Sequence, residues 1–171
     1  MAAIGNATKH GFLVREGDAL ERLAKAKIIA FDKTGTLTYG TPEVVAVVSV
    51  SEACGKDELY RLAASAEQLS EHPLGKAIVR CRRRDGGALA EAQAFRMIPG
   101  RGVRAQVEGK TILAGSPELL REQGVPLEAP AAADAYLREG CTVTYVAVDG
   151  EFAGFLALSD TLRQESAATI T

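Results

Sequence analysis

The chain has 171 residues, enough for one ordinary domain or for one domain and part of another. Its 47% apolar content is that of a globular protein, and a net charge of −2 excludes a nucleic-acid partner held by bulk electrostatics. No run reaches the roughly 18 apolar residues that cross a bilayer, and residues 1–11 lack the hydrophobic region of a signal peptide, so the chain by itself reads as soluble. Cys54, Cys81 and Cys141 lie far apart without zinc-type spacing and read as reduced packing cysteines. His10 has no His or Cys nearby and reads as an exposed tail residue.

In chain order, the first predicted element is a helix on which Leu20, Leu23 and Ala24 share a face, with Asp18 at its N-cap. Ile28-Ile29-Ala30-Phe31 is a short β-branched and aromatic run, and the Gly/Thr-rich turn after it predicts a buried parallel strand. Asp32 then stands at the strand's carboxyl end, where open α/β sheets place their ligands. A carboxylate there can attack phosphorus and hold a phosphoryl group covalently, provided positive charge offsets the repulsion between anions. Lys33 supplies that charge, and Gly35 with the Thr34 and Thr36 hydroxyls suits a phosphate cradle. A carboxyl group two residues after the nucleophile could speed hydrolysis of an acyl phosphate. Thr34 cannot, which favours a lasting phosphorylated state over a fast phosphatase.

Tyr39-Gly40-Thr41-Pro42 reads as a hinge, because Gly bends freely and Pro42 stiffens the restart. From Glu43 the character changes to a compact α+β unit that opens with a strand over 44–50. Two helices follow, one with Leu59, Leu62, Ala63 and Ala66 on a face, the next with Leu74, Ala77, Ile78 and Cys81. The basic cluster Arg80, Arg82, Arg83 and Arg84 ends the second helix and reads as a solvated terminus. Between the helices stands Ser70-Glu71-His72-Pro73-Leu74-Gly75. Pro73 pushes His72 out of the α region and starts the second helix, holding the imidazole beside a helix N-terminus that favours anions. With Glu67 five residues earlier, the pair could grip a purine. His72 would stack or hydrogen-bond, and Glu67 would accept from the adenine amino group. A capping motif with a surface histidine is the alternative.

Val103, Ala105 and Val107 alternate with polar residues as in a half-buried strand, entered through Pro99-Gly100-Arg101-Gly102, where two glycines allow close backbone approach. Glu108-Gly109 turns this strand into another over 111–114. Ser116-Pro117 starts a helix, residues 124–133 form a loop entering a further helix, and Asp149-Gly150 joins strands 143–148 and 152–158 as a hairpin. In Leu158-Ser159-Asp160-Thr161-Leu162-Arg163, Asp160 and Arg163 fall on adjacent turns if a helix starts there, a spacing for a salt bridge or a cap. There is no internal repeat.

Asp32-Lys33-Thr34-Gly35-Thr36-Leu37-Thr38 resembles the phosphorylation signature of the P-type ATPases, ion pumps built around a haloacid-dehalogenase-like phosphorylation domain. Ser70 to Gly75 resembles the nucleotide-domain motif of the subfamily that moves copper, silver, zinc, cadmium, lead or cobalt, and Pro99 to Gly102 resembles its Gly-x-Gly signature. The resemblance covers nearly the whole chain. It implies an α+β nucleotide-binding domain, an antiparallel sheet flanked by helices, over residues 42–157. That domain would be inserted into a truncated haloacid-dehalogenase-like α/β phosphorylation domain, of which residues 1–41 and 158–171 are parts. It further implies ATP and Mg²⁺ as cofactors, with Glu67, His72, Gly100 and Gly102 binding nucleotide, and Asp32, Lys33 and Thr34 catalytic. Thr34, Gly35 and Thr36 would bind phosphate, Asp32 would be a partial Mg²⁺ site, and Asp160 and Arg163 would lie at the return hinge. Hinges on both sides would let the nucleotide domain bring the γ-phosphate to Asp32.

Many members carry Gly-Asn where this chain has Gly115-Ser116; Ser116 caps equally well but reaches less far, so its contact with ATP is not expected. The segments that hold the family's Thr-Gly-Asp, its further Lys and its Gly-Asp-Gly loop lie beyond Thr171, so the chain alone is expected to bind nucleotide without turnover. The implied partners are the transported heavy-metal ion and the actuator and membrane domains of a parent protein in the cell membrane, with this portion on the cytoplasmic side. A soluble haloacid-dehalogenase-type phosphatase, with residues 43–148 as its cap, and a non-catalytic nucleotide-binding module are the two alternatives.

Overall fold

The computed structural model describes residues 14, 16, 18–127 and 131–170. They fall into two units, one ending at Asp32 and one beginning at Lys33. His10 lies outside the described residues, as do the side chains of Lys33 and Thr34.

The first unit holds one short helix, α1 (Ala19–Ala24). Asp18 occupies its N-cap position, but its side chain makes no cap hydrogen bond; instead Arg22 reaches back to Asp18 at 3.5 Å and to Glu16 at 3.0 Å. The strand predicted over 28–31 is absent. Those residues have no regular structure, and Ile28 is 88% exposed. A parallel strand needs hydrogen-bonded neighbours and two covered faces, and among the described residues nothing pairs with this run.

The second unit is built on six antiparallel strands, β1 (Thr38–Ser49), β2 (Ala92–Ile98), β3 (Gly102–Val107), β4 (Lys110–Gly115), β5 (Thr142–Val148) and β6 (Glu151–Leu162), in the order β1-β6-β5-β4-β3-β2. Two hairpins follow from Glu108-Gly109 and Asp149-Gly150. All four residues have positive φ, the backbone that matches strand twist in a two-residue turn.

Period-two alternation sends successive side chains to opposite faces. On β6, Leu156 and Leu158 pack with Leu59, Leu62, Ala77 and Ile78 of α2 (Lys56–Ala66) and α3 (Pro73–Arg84). Phe155 and Ala157 pack on the other side with Leu119, Leu120 and Ala133 of α4 (Pro117–Glu122) and α5 (Ala131–Arg138). The sheet is therefore sandwiched between helix pairs, as the antiparallel α+β expectation requires.

Three local differences have physical causes. Strand β2 has no counterpart in the sequence reading: it is an edge strand whose register shifts between Gln93 and Arg96, with Ala94 at φ 47°, so no clean alternation marks it. The stretch read as a hinge at Tyr39 to Pro42 is strand, paired to β6 through Thr38↔Leu162 and Pro42↔Asp160. The basic end of α3 is not simply solvated. Arg82 is buried, grips Asp57 with both terminal guanidinium nitrogens (2.5 and 3.1 Å) and lies 5.3 Å over the Tyr60 ring. Arg84 pairs with Glu43 at 2.7 Å, and Arg80 donates to the Pro42 carbonyl at 2.5 Å. These arginines fasten α3 to α2 and β1 by bidentate and backbone bonds that a solvated terminus would not make.

Candidate functional site

The α2–α3 connection forms one wall of a cavity of about 250 Å³. Helix α2 passes into a single 3₁₀ turn, Glu67–Leu69, then Ser70 extends the chain and its hydroxyl accepts from the His72 amide at 3.3 Å. His72 is the N-cap of α3, in the extended conformation that a residue before proline prefers, and its Nδ1 accepts from the Leu74 amide at 3.3 Å. A neutral ring that accepts at Nδ1 carries its hydrogen on Nε2. Gly75 closes the wall. A Cβ there would stand 2.3 Å from Glu67 Oε2 and 2.7 Å from Ser70 Oγ, so only glycine lets α3 pack against that carboxyl group.

The opposite wall is the β2–β3 turn, closed by the Arg101 amide donating to the Ile98 carbonyl at 3.0 Å. Gly100 has φ +69° and opens onto free space, whereas Gly102 has φ +146° and faces its register partner Gly115 on β4. A Cβ on Gly102 would meet the Ala114 carbonyl at 2.2 Å, and one on Gly115 would meet the Arg101 carbonyl at the same distance. The glycine pair brings two backbones into direct contact and sets the depth of the cavity. Ser116 lines it too, but its hydroxyl caps α4 by accepting from Leu119 N at 3.3 Å, the capping role expected of it. The structure thus brings Glu67, His72, Gly100 and Gly102 around one cavity, with Leu74, Met97, Ile98, Val103 and Val143 as its apolar lining. Gly75 had no role in the sequence reading; its signal was a glycine in the first turn of a helix, where a glycine is costly unless something needs the space.

Glu67 dominates the electrostatics. It is 6% exposed, its Oε2 has no hydrogen-bond partner, and burial pushes its carboxyl up to about 7, with hydrogen bonding from Ser70 acting the other way. His72 is exposed at the mouth, and Arg101 is engaged by Glu122 at 3.1 Å.

The second cluster joins the start of β1 to the end of β6. Lys33–Leu37 forms one wide helical turn with Gly35 at φ +79°, and the Gly35 amide donates to Thr38 Oγ1 at 3.2 Å. Thr36 is exposed. Asp160 is a strand residue. Its Oδ2 accepts from Thr38 Oγ1 and from the Gly40 amide at 3.1 Å, and its Oδ1 accepts from the Thr41 amide at 3.0 Å. Arg163 donates to the carbonyls of Thr38 (3.1 Å) and Gly35 (3.4 Å) and lies 5.1 Å over the Tyr39 ring. A helix begins only at α6 (Gln164–Ile170). The expected salt bridge or cap between Asp160 and Arg163 therefore gives way to two clamps, one on the β1 amides and one on the carbonyls of the signature turn. In the other unit, Asp32 is exposed.

Among the described residues no helix is long and apolar enough to cross a membrane. The haloacid dehalogenase-like hydrolase family matches residues 26–171. A probable cobalt/nickel-exporting P-type ATPase of Mycobacterium bovis is 42% identical over 171 residues, covering 99% of this chain and 25% of its own. The crystal structure of a zinc-transporting PIB-type ATPase in an E2.Pi state superposes with a TM-score of 0.76 at 36% identity, covering 99% of this chain and 27% of that one. The catalytic domain of the CPx-ATPase CopB-B, studied for conformational changes on nucleotide binding, superposes with a TM-score of 0.68 at 28% identity, covering 95% and 55%. The chain spans about a quarter or less of the length of the curated relatives that it matches, from 20% to 26%. It belongs to the haloacid dehalogenase-like hydrolase family, and the members that it resembles are heavy-metal-transporting P-type ATPases.

Proposed function

We propose that this chain is the ATP-binding and phosphorylation-site portion of a heavy-metal-translocating P-type ATPase. The observation that carries the reading is the cavity in which a buried carboxyl group with one unpartnered oxygen, an imidazole at a helix N-terminus and a close-packed glycine turn meet. Its volume of about 250 Å³ lies just below the ~300–1,000 Å³ typical of ligand pockets. That suits a base and part of its sugar, with the charged phosphates outside the apolar lining. Glu67 meets the adenine edge, His72 stacks on or hydrogen-bonds the base, and the Gly100–Gly102 turn lets backbone approach the ribose. Residues 42–157 are the nucleotide-binding domain, and residues 1–41 and 158–171 belong to the phosphorylation domain. Asp160 and Arg163, clamped across β1, hold the passage between the two.

Asp32 is the phosphoryl acceptor. A carboxylate oxygen bonds the γ-phosphorus, the bond to the β–γ bridging oxygen breaks with its electron pair, and ADP departs to leave an acyl phosphate. Lys33 offsets the converging negative charge, and Thr34, Gly35 and Thr36 hold the phosphoryl oxygens. For Mg²⁺ the residues present are insufficient. Among the described residues no group of three His, Cys, Asp or Glu side chains could hold a metal ion. Asp32 would supply one ligand beside phosphate oxygens. Formation and hydrolysis of the aspartyl phosphate would drive export of a metal ion by membrane helices, with this portion on the cytoplasmic side.

Amide NMR during an ATP titration tests the nucleotide site. Saturable shifts should centre on Glu67, His72, Gly100 and Gly102, and His72→Ala should weaken binding about tenfold, the size of one lost hydrogen bond or stacking contact. Shifts spread without a centre, or equal binding by the variant, would return His72 to a helix cap.

A further inference from the structure

We propose that Glu67 reads adenine as a neutral carboxylic acid, donating one hydrogen bond to the ring nitrogen N1 and accepting one from the exocyclic amino group. This rests on the reading of the cavity as a nucleotide site and adds what makes that site prefer adenine. An ionised carboxylate has acceptors only, so against adenine one oxygen pairs with the amino group while the other faces the N1 lone pair. A neutral acid satisfies both positions. Guanine reverses the pattern. Its N1–H and amino group both donate, so an ionised Glu67 would prefer guanine.

The surroundings favour the neutral form. Glu67 is 94% buried, the Oε2 atom has no partner, and the carboxyl group lies against the backbone of Gly75, where no side chain fits. A buried carboxylate without a cation is costly, and among the described residues no cation is placed to repay it. On α3, His72 is exposed at the mouth, and Lys76 is turned to Glu71. Arg82, Arg84 and Arg80 are engaged by Asp57, Glu43 and the Pro42 carbonyl, and Arg83 is exposed. On α2, Arg61 is held between Glu58 and Glu108. On β2 Arg96 is exposed, and in the turn after it Arg101 pairs with Glu122. Among the described residues, only burial and the Ser70 hydroxyl act on the Glu67 carboxyl group. A base stacked into the cavity would displace the remaining water and favour the neutral form further.

Adenosine and guanosine are the probes, because they lack the phosphates that titrate in the same range. Each is titrated by amide NMR into the full 171-residue chain and its Glu67→Gln variant, from about pH 6 to about pH 8.5. In the native chain adenosine affinity should fall about tenfold per pH unit above the Glu67 midpoint, with the adenosine-to-guanosine ratio falling in parallel. Glu67→Gln, whose amide donates and accepts at any pH, should bind adenosine with little pH dependence. The side-chain carboxyl ¹³C shift of Glu67 gives a readout independent of the variant: its midpoint should move up when adenosine is bound. Localised adenosine binding that is flat with pH, or a ¹³C midpoint that falls on binding, overturns the neutral acid and leaves the nucleotide site standing. No adenosine binding at any pH overturns both.

Discussion

The approach to Asp32 and the strand β6 are built from similar residues and reach opposite states. Ile28, Ile29 and Phe31 are 88%, 63% and 42% exposed, whereas Phe155, Leu156, Ala157 and Leu158 are at most 1% exposed. Hydrophobicity does not separate them. Neighbours do: β6 is paired along β1 and along β5, with helices on both faces, whereas nothing among the described residues pairs with 28–31. Ordering a residue costs about 1–2 kcal/mol of backbone entropy, and an apolar run recovers that cost only against packed partners. Two carboxyl groups differ in the same way: Asp32, after the uncovered run, is exposed, and Glu67, in the α2–α3 connection against the covered sheet, is buried. An exposed run leaves its carboxylate in water, open to a partner from any side; a buried carboxyl group meets only what enters its cavity.

The contrast breaks first where packing is densest. Phe155 is fully buried and meets Tyr136 edge-on at 6.0 Å and Tyr145 at 6.3 Å. Phe155→Ala should therefore cost about 3–5 kcal/mol, read as a lower urea midpoint at unchanged slope. A loss under about 1 kcal/mol would mean that this face is far looser than its burial implies.

Next in size is the proton on Glu67, whose carboxyl pKa rises from an ordinary 4.5 to about 7 on folding. A raised folded value gives stability that is fully present below the unfolded pKa and lost as pH climbs through the folded one. The window is thus pH 4.5 to 7, and the loss across it is about 3 kcal/mol. Glu67→Gln should flatten that slope, measured as urea midpoints along a pH series; a variant with the same slope would place the titrating group elsewhere.

Elements whose signal was local were legible in the sequence. The two turns at Glu108-Gly109 and Asp149-Gly150, the helices begun by Pro73 and Pro117, and the alternation of β3 each need only a few consecutive residues. What lay hidden depended on contacts distant in the chain. Arg82 looked like one of four terminal arginines until Asp57 and Tyr60 met it. Asp160 showed a helical spacing to Arg163, yet it answers the Thr38 hydroxyl and the Gly40 and Thr41 amides, about 120 residues away and opposite it only in the paired strands. Likewise the cavity was foreseeable as a set of residue types, Glu67 with His72 and two glycines, but the lack, among the described residues, of any cation near Glu67 was not. Pairing is a property of the folded surface, and no spacing encodes an absence.

The smallest expected effect falls on the run before Asp32. Substituting Ile29→Ser removes a large apolar side chain that is mostly in water, so the urea midpoint should move by no more than about 0.5 kcal/mol. The comparison with Phe155 makes this informative. Both residues were predicted as strand interior, and a buried Ile at that position would cost several kcal/mol on a change to a polar residue. A null result would show that the strand's apolar surface contributes nothing to folding in this chain and is free to be covered by a partner. A cost above about 2 kcal/mol would mean that 28–31 is packed in solution. The sheet's stability would then depend on the very segment that positions the proposed phosphoryl acceptor.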